Sequence, residues 1–255
     1  MKTDKSKIEA LLRTEVPITI ECTDVTASTN DDIRQKARLG TEEIYVLIAD
    51  RQTAGKGSKG RSFFSPEGTG CYMSLLLRPS LRPAECTLLT TMAAAATAKA
   101  IERVCNKAVD IKWVNDIYSG GRKLAGILTE GAFINSDKID YAVVGIGINL
   151  TEPEGGFPEE LKNIAGALGN EEIKNELIAE IINEFTAYYI RLPDKDYMNE
   201  YRRRLFFLGR EVRVIQGEKS FTATAKDIDD MCGLVVERAD GTRITLNSGE
   251  ISIRI

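Results

Sequence analysis

Histidine is missing from all 255 residues. That removes histidine general bases, histidine-dependent triads and the commonest transition-metal ligand together. Cys22, Cys71, Cys86, Cys105 and Cys232 are odd in number and form no C-x-x-C pair, so they read as reduced, mostly buried thiols and not as a disulfide framework or zinc site. No apolar run approaches the roughly 18 residues that a membrane span needs, and the charged stretch from Met1 to Pro17 has no signal-peptide core. The expected location is the cytoplasm. A dominant sign of charge is missing too: 34 Lys and Arg stand against 38 Asp and Glu, and a net charge of −4 gives no overall basicity that would point to nucleic acid. Chemistry in such a chain has to run on Lys, Arg, carboxylates, backbone dipoles and a hard cation brought from outside. At 43% hydrophobic and 28% charged, the composition is that of an ordinary globular protein long enough for one large and one small domain.

Against this background one stretch stands out, Arg51-Gln-Thr-Ala-Gly-Lys-Gly-Ser-Lys-Gly-Arg61, with three glycines, four cations and no acid, directly after the apolar run Tyr45 to Ala49. Glycine lets the backbone come close to a ligand, and Arg51, Lys56, Lys59 and Arg61 can face an anion together. Two templates nearly fit. Gly55, Gly57 and Gly60 spell G-x-G-x-x-G, and Gly55 to Ser62 are one residue from a P-loop. Both require a helix to open at the last glycine, whereas Pro66, Gly68 and Gly70 follow and then the strand-like Cys71 to Leu77. The dinucleotide and Walker readings therefore fail, which leaves a phosphate-handling loop of another kind or a solvated basic surface loop.

Taken in order, Thr19 to Val25 reads as a strand. Ser28 is a natural N-cap for a helix Asp32 to Leu39 that ends at Gly40; the hydroxyls of Ser28 and Thr29 can cap that helix or bind a polar ligand head. Pro83 to Val104 reads as a helix whose run Ala93 to Ala96 permits close packing on a sheet. Strands at Val109 to Trp113, Leu124 to Phe133 and Tyr141 to Leu150 are joined through Asn115-Asp116 and turns at Ser119-Gly-Gly121 and Asn135-Ser-Asp-Lys138. Turn-linked neighbours of this kind predict a mixed or antiparallel sheet with helices, an α+β fold. Helices are expected at Glu159 to Leu168, Glu171 to Ile190 and Tyr197 to Phe207. From Arg210 on, short strands at Val212 to Ile215, Phe221 to Ile228, Leu234 to Glu237, Arg243 to Leu246 and Ile251 to Ile255 predict a small SH3-like β-barrel. The expected division is residues 1–207 and 208–255.

Three further polar clusters interrupt apolar strands: Lys112-Trp-Val-Asn-Asp116, Arg122-Lys-Leu-Ala-Gly-Ile127 and Gly145-Ile-Gly-Ile-Asn149. Each alone reads as a strand-end lysine, a core aromatic or a turn cap. Four polar clusters at strand ends around one sheet are more economically a site. Together with Ser28-Thr-Asn30 and the GRGRRGR-like Gly55 to Arg61, they resemble the biotin protein ligases, from about Val25 to Leu150 and on through the C-terminal barrel.

The resemblance implies a class II synthetase-like catalytic domain and a two-step reaction. Biotin and Mg·ATP form biotinyl-5′-AMP and pyrophosphate, and the biotinyl group then passes to one lysine of a biotin carboxyl carrier protein. It implies biotin contacts from Ser28, Thr29, Asn30, Gln52, Gly55, Lys56, Gly57, Ser58, Lys123 and Gly126. ATP contacts are implied from Arg51, Lys59, Arg61, Phe63, Asn115 and Asn149, with Mg²⁺ carried on the nucleotide and not held by His or Cys. Lys56, Arg61 and Lys123 are the expected catalytic cations, and Asp116 the carboxylate that orients or deprotonates the incoming lysine. The chain departs from the family pattern at Lys56, Ser58 and Lys59, where arginines are usual, at Phe63, where many members have Trp, and at Val114 in place of proline. Loss of the arginine forks weakens the expected hold on the intermediate. The seventeen or so residues before Ile18 are too few for the winged-helix domain of bifunctional members, so a ligase without repressor function, binding no nucleic acid and no membrane, is expected. The family also suggests a homodimer through an exposed edge of the main sheet. The competing readings are a lipoate or octanoate ligase of the same superfamily and a non-catalytic biotin- or nucleotide-sensing module.

Overall fold

The computed structural model describes residues 2–135, 137–216, 219–247 and 250–253. Ser136, Gly217, Ser248 and Gly249 of the expected turns, and Arg254 and Ile255 of the last expected strand, lie outside the described residues. The chain runs α1 (Lys5–Ala10), β1 (Thr19–Thr26), α2 (Thr29–Arg38), β2 (Tyr45–Gln52), β3 (Gly70–Leu77), α3 (Cys86–Cys105), β4 (Asp110–Lys112), β5 (Asp116–Ser119), β6 (Arg122–Asn135), β7 (Lys138–Asn149), α4 (Lys174–Tyr189) and α5 (Tyr197–Arg203). Strands β1 to β7 form one sheet in the order β1-β2-β3-β7-β6-β5-β4, parallel only between β1 and β2. This is the mixed sheet that the turn-linked strands predict.

Period-2 alternation divides the sheet between two layers. Leu75, Leu77, Val144, Ile146 and Ile148 belong to the main core, which α3, α4 and α5 cover. The run Ala93 to Ala96 is fully buried and lets α3 approach the strands closely. Leu76 and Val143 face the other way and join Ile33 and Ala37 of α2 in a smaller cluster. Continuing the odd positions of β7 along that second face gives Gly145 and Gly147, so the strand loses its side chains where α2 begins.

Within α3, the buried Thr97 hydroxyl has no hydrogen-bond partner among the described residues. Replacing it by the isosteric Val removes a desolvated polar group at constant shape. Thr97→Val should stabilise the protein by about 1 kcal/mol and raise the melting temperature by roughly 2–4 °C in a thermal scan.

Three elements differ from expectation. Strand β5 forms over Asp116–Ser119, where only a polar elbow and the start of a turn were expected. Helix α1 was not expected; it is short, capped by the Asp4 carboxylate accepting from the Lys7 N–H, and buries only Ile8. The helix expected at Glu159 to Leu168 does not form. Two consecutive turns form instead, with Leu161 and Lys162 N–H donating to the Pro158 carbonyl and Ile164 and Ala165 N–H to the Leu161 carbonyl, and Ala165 then bridges Lys123 in parallel. Gly166 lies so close that a Cβ there would sit 2.8 Å from the Arg122 Cβ. Pairing with the Arg122–Lys123 strand end outweighs the helical pattern of Leu161, Ile164 and Leu168.

The C-terminal strands β8 (Glu211–Gln216), β9 (Lys219–Ile228), β10 (Leu234–Glu237), β11 (Arg243–Leu246) and β12 (Glu250–Ile253) form an antiparallel sheet in the order β11-β10-β9-β8-β12. Its buried face, including Val212, Val214, Ala225 and Leu234, is continuous with the main core. The Trp113 indole N–H donates to the Cys232 carbonyl at 2.9 Å and ties this module to the β4–β5 junction that carries Asn115 and Asp116.

Candidate active site

A cavity of about 730 Å³ lies above the glycine-bearing face of β6 and β7. Its wall takes Ser28, Thr29 and Asn30 from the start of α2 and Gln52 from the end of β2. Lys56, Gly57, Ser58, Lys59, Arg61 and Phe63 come from the cationic loop, Asn115 and Asp116 from the β4–β5 junction, and Lys123 and Gly126 from β6. Arg51, Gly55 and Asn149 stand outside the wall. Arg51 is exposed. Gly55 lies against the Phe63 carbonyl, which a Cβ would approach to 2.5 Å. Asn149 Nδ2 donates to the Gly166 carbonyl at 2.9 Å and holds the segment that runs beside Lys123.

The glycines of the floor each make room for a working side chain. A Cβ on Gly145 would come within 2.2 Å of Asn30 Oδ1, one on Gly147 within 2.6 Å of the Phe63 ring, and one on Gly126 within 3.1 Å of Lys123 Nζ. Gly126 and Gly147 are directly paired across β6 and β7, so together they form a trough. Phe63 lies in it, its ring edge-on to Tyr72 at 6.4 Å, and is thus part of the floor.

One end of the cavity is a network of neutral polar groups. Ser28 is the N-cap of α2 but makes no side-chain cap hydrogen bond. Gln52 Oε1 accepts the Thr29 N–H at 2.9 Å and the Thr29 hydroxyl at 3.0 Å, while its Nε2 donates to Ser65 Oγ at 3.0 Å. The Ser74 hydroxyl reaches both Thr29 Oγ1 and Asn30 Oδ1.

The other end is cationic, and two of its lysines are each held by a carboxylate. Lys56 meets Asp31 and Lys123 meets Asp116, both at 2.5 Å. The loop keeps its shape through Lys59 and Gly60, both at positive φ (57° and 73°). Arg61 folds back to donate to the Ser58 carbonyl and hydroxyl. No helix follows, in keeping with the failure of the Walker and dinucleotide templates. Beside Asp116, the Tyr118 phenol is pushed up to about 12 by burial and by the Asp116 charge, against a small opposing effect of Arg61. It therefore stays a neutral hydrogen-bond donor. Asn115 Nδ2 donates to the Ile127 carbonyl at 2.7 Å, which fixes the orientation of its amide.

Several wall and supporting residues were not foreseen. Ser74 and Glu130 had a visible signal, since each is a polar residue inside an otherwise apolar strand. Leu161, Asn163 and Ile164 enter the wall because the expected helix is a turn, and Asn247 and Ile251 arrive from the C-terminal module. Those depend on tertiary docking, for which the sequence carries no local sign. Among the described residues no cluster of three or more His, Cys, Asp or Glu could hold a metal ion, and no helix is long and apolar enough to cross a membrane.

Residues 20–149 match the biotin/lipoate A/B protein ligase family and residues 207–254 the biotin protein ligase C-terminal domain. The bifunctional ligase/repressor BirA of Bacillus spizizenii is 33% identical over 95% of this chain and 77% of its own length. The biotin–[acetyl-CoA-carboxylase] ligase of Mycobacterium tuberculosis is 29% identical over 89% of this chain and 85% of its own. Among solved structures, the biotin protein ligase of Aquifex aeolicus in complex with biotin and ATP superimposes with a TM-score of 0.74 at 27% identity, covering 92% of this chain and 98% of that one. By both of its matched regions, the chain belongs to the biotin/lipoate A/B protein ligase family, on its biotin protein ligase side.

Proposed function

We propose that this protein joins biotin to ATP as biotinyl-5′-AMP and then transfers the biotinyl group to one lysine of a biotin carboxyl carrier protein. The observation that carries the reading is the polarity of this cavity from one end to the other. A neutral network around Thr29 and Gln52 suits a small uncharged polar head, and Lys56 and Lys123 at the far end suit a carboxylate meeting a phosphate. Mg²⁺ belongs to the nucleotide substrate.

In the first step a carboxylate oxygen bonds to the α-phosphorus and pyrophosphate leaves. Two anions must approach one another, so the barrier is mainly electrostatic and fixed cations lower it. Lys56 and Lys123 exchange Asp31 and Asp116 for the substrate's oxygens at that moment. In the second step the acceptor amine bonds to the acyl carbon, the acyl–phosphate bond breaks, and AMP departs. An unperturbed lysine, with a pKa of about 10.4, is neutral in only about one molecule in a few thousand at pH 7. Asp116, released when Lys123 turns to the phosphate, takes the amine's proton, a role its contact with Lys123 supports.

The reading is tested by incubating the protein with biotin, Mg·ATP and a carrier-protein domain, and following the domain by mass spectrometry. One biotinyl group on one lysine is expected; an unmodified domain contradicts the reading. Asp116→Ala should slow transfer from preformed biotinyl-5′-AMP by about 10²-fold while leaving its formation far less affected. Equal losses in both steps would remove Asp116 from the role.

A further inference from the structure

The register of the sheet measures the cavity along its length. Gly145 of β7 lies against Asn30 at the neutral end and pairs with Leu128; two residues on, Gly147 pairs with Gly126, which on its other side pairs with Asp116 of β5. The next residue of β5 on the same face is Tyr118, opposite Lys123. Each such step along a strand is roughly 7 Å. The Lys123 side chain does not stay at its own level but arches back over Gly126 to Asp116. Its ammonium thus marks the level where carboxylate and α-phosphate meet, and Tyr118 stands one step beyond, on the side away from the neutral network.

The Tyr118 ring is held from two sides. The Phe206 ring packs against it with centroids 6.5 Å apart, and Lys112 Nζ lies over it at 5.8 Å from the centroid. Tyr118 and Lys112 both line the cavity. Among the described residues the Tyr118 hydroxyl has no hydrogen-bond partner, and burial together with the Asp116 charge keeps it protonated. A half-buried hydroxyl on an immobilised ring, with no protein acceptor to satisfy, leaves its hydrogen for a ligand.

We infer that Tyr118 is a catalytic residue of adenylate formation whose hydroxyl donates a hydrogen bond to the leaving pyrophosphate. The inference rests on the function proposed above. As the carboxylate oxygen bonds to the α-phosphorus, the bond from that phosphorus to the bridging oxygen breaks and its electron pair stays on pyrophosphate. Attack and departure are in line. An acid that enters from the neutral end therefore expels pyrophosphate on the opposite side, which is the side Tyr118 occupies. The phenol keeps its proton throughout and only shares it, and Lys112 over the ring adds positive charge at the same place, where the charge of the leaving group gathers. The transfer step contains no pyrophosphate, so this contact has no part in it.

Tyr118→Phe tests this by removing the hydroxyl alone and keeping the ring between Phe206 and Lys112. In ATP–pyrophosphate exchange at saturating biotin and ATP, the pyrophosphate concentration for half-maximal rate should rise about tenfold, the usual loss for one hydrogen bond to a charged group. KM for biotin should stay within about twofold, because the head end of the cavity is untouched. Transfer of the biotinyl group from preformed biotinyl-5′-AMP to a carrier-protein domain should run at the parent's rate, and the melting temperature should stay within about 3 °C. An unchanged pyrophosphate requirement overturns the inference. A transfer step slowed as much as exchange overturns it too, since Tyr118 would then act as a support for Asp116 and Lys123. Absence of biotin-dependent exchange by the unaltered protein would instead overturn the proposed function, and shows before any variant is made.

Discussion

Lys123→Ala should lower biotin-dependent ATP–pyrophosphate exchange by about 10²–10³-fold, the usual loss when one fixed charge-stabilising group is removed from a transition state. The position is specified from three sides. Lys123 N–H donates to the Ile164 carbonyl at 2.8 Å, its side chain arches over the bare backbone of Gly126, and its ammonium reaches the Asp116 carboxylate. The effect belongs to chemistry and not to folding. With side-chain exposures of 27% and 21%, the Lys123–Asp116 pair stays in contact with water, and such pairs contribute about 1 kcal/mol or less to stability. The melting temperature of the variant should accordingly stay within about 4 °C of the parent. Arginine at this position should restore only part of the rate, because its planar fork is longer and cannot fold over Gly126 in the same way.

Asp50→Ala should be the most destabilising single change near the site. Asp50 sits on β2, two residues before Gln52, and is only 5% exposed; its carboxylate meets the buried Lys174 ammonium at 2.6 Å and accepts the Thr3 hydroxyl at 2.6 Å. Removing it strands a charge inside the protein, at a cost of about 3–5 kcal/mol and a fall in melting temperature of roughly 6–20 °C. Replacing both partners together, Asp50→Leu with Lys174→Met, should recover most of that loss, because the penalty lies in the unpaired charge. Burial pushes the Asp50 carboxyl up, but hydrogen bonds from Lys174 and Thr3 outweigh it and hold the group below its ordinary range. A depressed folded-state pKa stabilises fully above the unfolded value, about 3.9, and the contribution is lost as pH falls through the folded value. The difference between the parent and Asp50→Asn should therefore be constant from about pH 5 to 8 and shrink below about pH 4 in pH-dependent unfolding.

The loop from Arg51 to Arg61, the Lys112 to Asp116 elbow and the glycine-bearing strands were legible in the sequence because polar and glycine residues interrupt runs that otherwise read as buried strands. What those glycines are for was not. Gly145 and Gly147 make space for Asn30 and Phe63, which come from segments far away in the chain, and no local pattern encodes that meeting. The segment after Pro158 failed for the opposite reason: its apolar spacing is helical, and only the pairing of Ala165 with Lys123 overrides it. Asn149 was expected at the nucleotide and is found engaged with the Gly166 carbonyl, so its motif reads as support for the neighbouring segment. The counter-ions Asp31 and Asp116 show a further limit, since the sequence counts cations in a loop without showing which carboxylate faces each of them.

The most direct test of the proposed function is ATP–pyrophosphate exchange by the purified protein with Mg²⁺ and, in parallel, biotin, lipoate or octanoate. Exchange with biotin and only background with the other two acids is the expected result. It would establish a carboxylate-activating site that reads the cyclic urea, and it would exclude a non-catalytic sensing module. Exchange with lipoate or octanoate in place of biotin would leave the cationic end of the cavity as described and contradict the assignment of its head end; no exchange with any acid would contradict catalysis itself.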